Sequence, residues 1–198
     1  MSRLLERLSH RYALGHAIDD VGLHRDTRIP LDATEFRAAA VLAAITDRPE
    51  PGVLLIHRPS NMRAHPGQIA FPGGKIDPGE TPVEAALREA WEELGIRPED
   101  VRVIGASDRY LTGSGYDITP VIGVVPPDIE LSPNPNEVAQ WFEAPLDFLM
   151  DPANHKEGQV EWEGEMHPYW GIAWQSHDIW GVTAGILVNL SRRLRWHG

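Results

Sequence analysis

Three glutamates, 89, 92 and 93, recur at helical spacing behind a glycine- and proline-rich run in "FPGGKIDPGETPVEAALREAWEELGI", residues 71–96. Side chains three and four apart share a helix face, so the carboxylates project together. Like charges at that spacing cost about 0.2–0.5 kcal/mol per pair, and more in a cleft of low dielectric. Two remedies are at hand: Arg88 can pair with Glu84 or Glu92 at helical spacing, or a divalent cation can bridge the group. One arginine cannot neutralise three carboxylates. Oxygen ligands with no His or Cys beside them select hard ions such as Mg2+ or Mn2+ over Zn2+. A solvated acidic helix face is the competing reading, and the glycine-rich loop leading straight into the helix favours the cation site.

The helix that carries these groups is marked at both ends. In "TPVE", Thr81 and Glu84 stand at N-cap and N3 as a capping box, and Pro82 takes the first helical position, where its missing N–H costs nothing. Gly95 caps the other end, giving a helix from Pro82 of about 13 residues. Val83, Leu87, Ala90 and Leu94 form the stripe expected to bury against a sheet. Apolar runs at 39–46, 53–57, 68–71, 101–108 and 118–125 supply strands for it. "EVAQWFEAPLDFLMDP" predicts another strand and then a short helix begun near Pro145, and "QVEWEGEMHPYWGIAW" a hairpin turning near 163–165. The tail "DIWGVTAGILVNLSRRLRW" has a helical stripe and ends in arginines suited to a helix C-terminus. At the front, Leu4, Leu5 and Leu8 predict a docking helix, followed by an irregular lead-in to residue 36 and a single domain over 37–198.

Composition narrows the function classes. With 18 basic against 29 acidic residues, the net charge of -11 argues against a nucleic-acid binder but allows a small anionic ligand if cations intervene locally. There is no cysteine, which removes disulfides, thiolate metal sites and a Cys nucleophile and is compatible with a reducing cytosol. No apolar run approaches the ~18–20 residues of a membrane span, and the N-terminus lacks a secretory core, so the expected location is cytoplasmic. The nine histidines show no ligand spacing, with His57 and His65 read as structural or exposed. "TGSGY" lacks the GxSxG elbow, and "GGKI" lacks the Ser/Thr of a phosphate-binding P-loop.

The loop and helix together resemble the Nudix box, G-x5-E-x7-R-E-U-x-E-E-x-G-U with U aliphatic. Gly74, Glu80, Arg88, Glu89, Ala90, Glu92, Glu93, Gly95 and Ile96 agree at all nine specified positions within 23 residues. The resemblance implies an α/β/α sandwich around a mixed sheet, and hydrolysis of a nucleoside diphosphate linked to another moiety. It further implies that Glu89, Glu92, Glu93 and the Gly74 carbonyl hold Mg2+ or Mn2+. By the same resemblance Arg88 orients the carboxylates by pairing with Glu80, and Gly95 is structural. A general base is still needed to take the proton of the attacking water. Glu89 and Glu137 both remain candidates, Glu137 because it opens a predicted strand after a flexible segment.

Upstream, "LLIHRPSNMRAHPGQIAFPGG" is similar to the signature beside the Nudix box in coenzyme A pyrophosphatases, L-L-T-x-R-[SA]-x3-R-x3-G-x3-F-P-G-G. Leu54, Leu55, Arg58, Arg63, Gly67, Phe71, Pro72, Gly73 and Gly74 agree, whereas Ile56 and Pro59 depart from it. The likeness implies coenzyme A as substrate, with Arg58 and Arg63 on phosphate oxygens, where guanidinium binds in bidentate fashion, and Lys75 assisting. ADP-ribose, a dinucleotide or an oxidised nucleoside triphosphate are the alternatives, and a non-catalytic nucleotide sensor is the reading from another class. Residues 109–117 are expected to form a flexible lid. Trp162, Trp170, Trp174 and Trp180 are expected to pack the hairpin against the last helix. A homodimer is the expected assembly if the N-terminal helix serves an interface.

Overall fold

The computed structural model describes residues 2–29, 33–59, 67–162 and 164–196. Arg63 and His65 lie outside the described residues, as does part of the hairpin turn expected at 163–165. In chain order the elements are α1 (Arg3–His16), β1 (Arg37–Thr46), β2 (Gly52–His57), β3 (Ile69–Ala70), β4 (Gly73–Lys75), α2 (Pro82–Leu94), β5 (Arg102–Ala106), β6 (Tyr110–Leu111) and β7 (Tyr116–Val125). They continue with β8 (Gln140–Pro145), α3 (Leu146–Met150), β9 (Lys156–Trp162), β10 (Glu165–Trp174), β11 (His177–Trp180) and α4 (Val182–Leu194).

The sequence "RAAAVLAAIT" makes β1 a central strand because both of its faces are apolar, as in sheets covered on two sides. Ala40, Leu42 and Ala44 pack with α2, while Ala43 and Ile45 join a second core with α3 and α4. β7 lies parallel to β1 in register from Arg37↔Tyr116 to Thr46↔Val125, and β2 and β4 pair with β1 antiparallel. β8 and β3 extend the sheet from β2, and β5 and β6 pair with β7. The result is a mixed sheet sandwiched between helices, as expected. The small side chains on one face of β1 let α2 approach, and this fixes the distance between α2 and the Gly73–Lys75 segment on the same strand.

The second layer departs from expectation. The tail does not begin as a helix: His177–Trp180 pairs with β10 as β11, completing a three-stranded sheet β11-β10-β9. Gly181 (φ 64°, ψ -129°) then breaks the extended run before α4. Pro145 ends β8 and is the N-cap of α3 instead of its first residue. Of the four tryptophans expected to pack the hairpin, Trp170 and Trp174 lie against the core, whereas Trp162 and Trp180 are exposed. The deeply buried tryptophan is Trp196, whose indole N–H donates to Asp147 at 2.5 Å.

Candidate active site

The sequence signals of α2 are realised in atoms. Thr81 Oγ1 accepts from the Glu84 N–H at 3.2 Å, and Glu84 Oε2 accepts from the Thr81 N–H at 2.8 Å. At the other end Gly95 adopts φ 72°, a left-handed conformation that glycine reaches without steric cost, and its N–H donates to Trp91 O at 2.9 Å. The buried stripe is displaced from the expected one: Ala85, Ala86, Ala90 and Leu94 are buried, Val83 and Leu87 only partly. That rotation takes Glu93 off the solvent face and buries it, 5 % exposed.

Arg88 is the hub of the exposed side. Its Nε and Nη2 donate to Glu80 at 2.7 and 3.0 Å, its Nη1 to Glu89 at 2.9 Å and to Glu92 at 3.2 Å, and its Nη2 to Lys75 O at 3.0 Å. Glu80 in turn accepts from the Asp77 N–H at 2.9 Å. The glycine-rich loop and the helix are thereby laced together through one guanidinium. Hydrogen bonds from Arg88 hold the Glu80 carboxyl well below its usual range, at about 2.

Glu93 accepts a hydrogen bond from the Gly73 N–H at 2.9 Å. Burial pushes its carboxyl up to about 8, partly offset by that N–H and by Arg58, and the charges of Glu89 and Glu137 push the same way as burial. Glu89 is raised too, first by burial and then by Glu92 and Glu137, against the hydrogen bond from Arg88. Gly74 passes so close to Glu89 that a Cβ there would lie 2.4 Å from the Glu89 carboxylate, so any side chain would displace that carboxylate. These groups share one cavity of about 620 Å³, into which Arg58, Lys75 and Glu137 also face. Arg58 Nε is buried with no hydrogen-bond partner among the described residues.

Glu137 does not open a strand. It sits in a turn three residues before β8, tied down because Asn134 N–H donates to Glu93 O (2.9 Å) and Ser132 N–H to Leu94 O (2.8 Å). The connection thus satisfies carbonyls at the end of α2 that would otherwise lack partners, and it carries Glu137 to the cavity.

The sequence matches the NUDIX domain family over residues 36–166, about two thirds of the chain. The chain belongs to the Nudix hydrolase family. It is 40% identical over 164 residues to a relative described as the uncharacterized Nudix hydrolase NudL of Enterobacter sp. (strain 638), covering 82% of this chain and 85% of that one. NudL of Escherichia coli O7:K1, described in the same words, is 39% identical over 168 residues, 84% of this chain and 88% of the relative. The crystal structure of the Nudix hydrolase RenU from M. smegmatis is similar over 58% of this chain and 74% of that one, with 28% identity and a TM-score of 0.50. As a Nudix hydrolase the protein is a pyrophosphatase acting on a small molecule. No helix among the described residues is long and apolar enough to cross a membrane.

Nudix hydrolases generally use divalent metal ions, and the donor set here fits a hard cation. Glu89, Glu92, Glu93 and Glu137 offer oxygen alone, and the carboxyls of Glu89 and Glu93 are raised first by burial and then by the neighbouring carboxylates. In this structure Glu89 and Glu92 turn onto Arg88 and Glu93 onto the Gly73 N–H, so among the described residues the carboxylates are not gathered into a ready-made group of three.

The far half of the cavity escaped the sequence reading. Val41, Ile69, Ile118, Val182 and Ile186 line it with the hydroxyls of Thr112, Ser114 and Tyr116, and none of these carries a charge. They come from β1, β3, β7, α4 and the β6–β7 turn, which nothing local in the sequence links. The region expected to be a flexible lid is this turn, and it is pinned: Gly115 N–H donates to Thr112 O at 3.0 Å and Tyr116 N–H to Thr112 Oγ1 at 2.9 Å.

Proposed function

We propose that this Nudix hydrolase cleaves the diphosphate bond of coenzyme A and its derivatives, giving 3',5'-ADP and 4'-phosphopantetheine. The observation that carries this reading is a cavity with two unlike ends. One end is carboxylate-rich, with Arg58 and Lys75 for phosphate oxygens; the other is uncharged, aliphatic and hydroxyl-bearing, suited to a neutral arm. The orphaned Arg58 Nε is a donor awaiting an anion, and Arg63, outside the described residues, belongs to the same reading.

In this reading Glu89, Glu92, Glu93 and the Gly74 carbonyl hold Mg2+ or Mn2+. A bound hard cation supplies neutralisation of the diphosphate oxygens and Lewis acidity. Glu80 and Arg88 keep the loop and helix in register, and Gly95 ends the helix so that the 132–138 connection can dock. Water adds to one phosphorus as the bridging P–O bond breaks, and its proton passes to a carboxylate Oε. Glu137 is the acceptor better suited than Glu89, since it faces the cavity with no guanidinium on it among the described residues, while Glu89 is held by Arg88.

Steady-state kinetics with Mg2+ and Mn2+ test both assignments. kcat/KM should be highest for coenzyme A among coenzyme A, ADP-ribose, a diadenosine polyphosphate and an oxidised nucleoside triphosphate; a higher value for ADP-ribose would overturn the substrate. Glu137→Gln should lower kcat about 100-fold, within the range for losing a general base, while KM changes little. A Glu137→Gln enzyme with unchanged kcat would return the role to Glu89.

A further inference from the structure

We propose that Asp26, in the segment preceding the family domain, is a positioning residue that fixes the β6–β7 turn as a wall of the substrate cavity. The proposal rests on the reading that this cavity takes the diphosphate substrate. Asp26 is buried, 7 % exposed. Its Oδ2 accepts the Gly113 N–H at 2.8 Å and Arg28 Nη2 at 2.7 Å, and its Oδ1 accepts Arg28 N–H and Nε at 3.0 and 2.9 Å. All but one of these bonds lie within the lead-in itself. The exception reaches the tip of the turn, whose neighbours Thr112, Ser114 and Tyr116 face the cavity.

The turn leans on this support. β6 is only two residues long, and at the tip a Cβ on Gly113 would lie 2.6 Å from Arg28 Cβ, so the loop is seated directly on the lead-in. Thr112 Oγ1 is 3.0 Å from Ser114 Oγ and holds the Tyr116 N–H, so a shift at Gly113 is passed to Thr112, Ser114 and Tyr116, which line the cavity. A buried carboxylate is a strong acceptor for an amide. The lead-in is itself braced from the other side: Thr27 Oγ1 lies 3.1 Å from His167 Nδ1 on β10, and the Arg28 guanidinium lies 5.9 Å from the Trp162 ring on β9. A segment outside the family domain thus holds the uncharged half of the site.

Two variants separate positioning from stability. In Asp26→Ala, amide exchange at Gly113 should accelerate about tenfold or more, KM should rise about tenfold, and kcat should stay within about twofold. Arg28→Met keeps the Asp26 oxygens beside Gly113 while removing the ion pair, so it should lower thermal stability yet leave KM within about twofold. Unchanged Gly113 exchange in Asp26→Ala, an unchanged KM with faster exchange, or equal KM changes in the two variants would each overturn the proposal. Kinetics are run on coenzyme A and ADP-ribose alike. A KM split seen on ADP-ribose alone supports the Asp26 role and removes the coenzyme A reading, whereas coenzyme A turnover with no split does the reverse.

Discussion

Glu93→Gln should lower kcat by about 10³-fold or more, some 4 kcal/mol of transition-state stabilisation, while the protein stays folded. Glutamine preserves the shape and keeps an oxygen for the Gly73 N–H that the Glu93 carboxylate accepts. What it removes is the capacity to become a carboxylate beside a bound cation, in a cavity that Asp77, Glu89, Glu92 and Glu137 also line. A neutral amide is also cheaper to bury than a carboxylate, so the thermal midpoint should not fall. Calorimetric titration with Mn2+ supplies the second readout: affinity should drop along with kcat. Retained turnover with Mn2+ affinity intact would show that the buried carboxylate has no share in holding the cation, and the assignment of metal to this helix would fail with it.

The legible part of the site was the part encoded locally. Capping box, first-turn proline and terminal glycine are all read within α2 itself, which is why its bounds follow from the letters. The orientation of its carboxylates was not legible, because it depends on contacts made across the chain. Glu93 is buried by the approach of Gly73 on β4, and Glu89 and Glu92 are turned by an arginine that also reaches Glu80. A helical wheel treats the three as equivalent; packing makes one buried, one half-buried and one exposed. The uncharged end of the cavity is harder still, since Ile69, Ile118 and Ile186 are ordinary core residues by pattern and meet only through the sheet order. β11 was hidden for a different reason. Ile179 and Val182 fit a helical stripe, and only the positive φ of Gly181 separates strand from helix.

Arg193→Met should destabilise the protein by about 3–5 kcal/mol, on the order of 10 °C in thermal midpoint, the largest stability effect expected of any single substitution considered. The pattern of the tail suggests that its arginines complement the C-terminus of their own helix. The structure turns Arg193 inward instead, 4 % exposed, to serve the end of α1. Its Nη1 donates to Gly15 O at 2.9 Å, which also accepts the Ile18 N–H, and to Ile18 O at 2.5 Å just past the end of α1, and its Nε and Nη2 grip Asp108 at 2.7 and 2.6 Å. α1 sits so close that a Cβ on Gly15 would fall on the Arg193 carbonyl. Methionine fills the volume but takes the guanidinium from two carbonyls and a buried carboxylate, which is the costly way to break a buried pair. pH dependence distinguishes this cause from lost packing. Burial alone would raise the Asp108 carboxyl, but the hydrogen bonds and charge of Arg193 bring it below its ordinary 3.8. The pair's contribution is therefore present above that value and is lost as pH falls through the depressed one. In the variant Arg193 no longer offsets burial and only the weaker help of His16 and a backbone N–H remains, so protonation relieves Asp108 more readily, and the gap to wild type should narrow between pH 7 and pH 3. Urea titrations at both pH values that gave the same gap would assign the loss to packing and not to the ion pair.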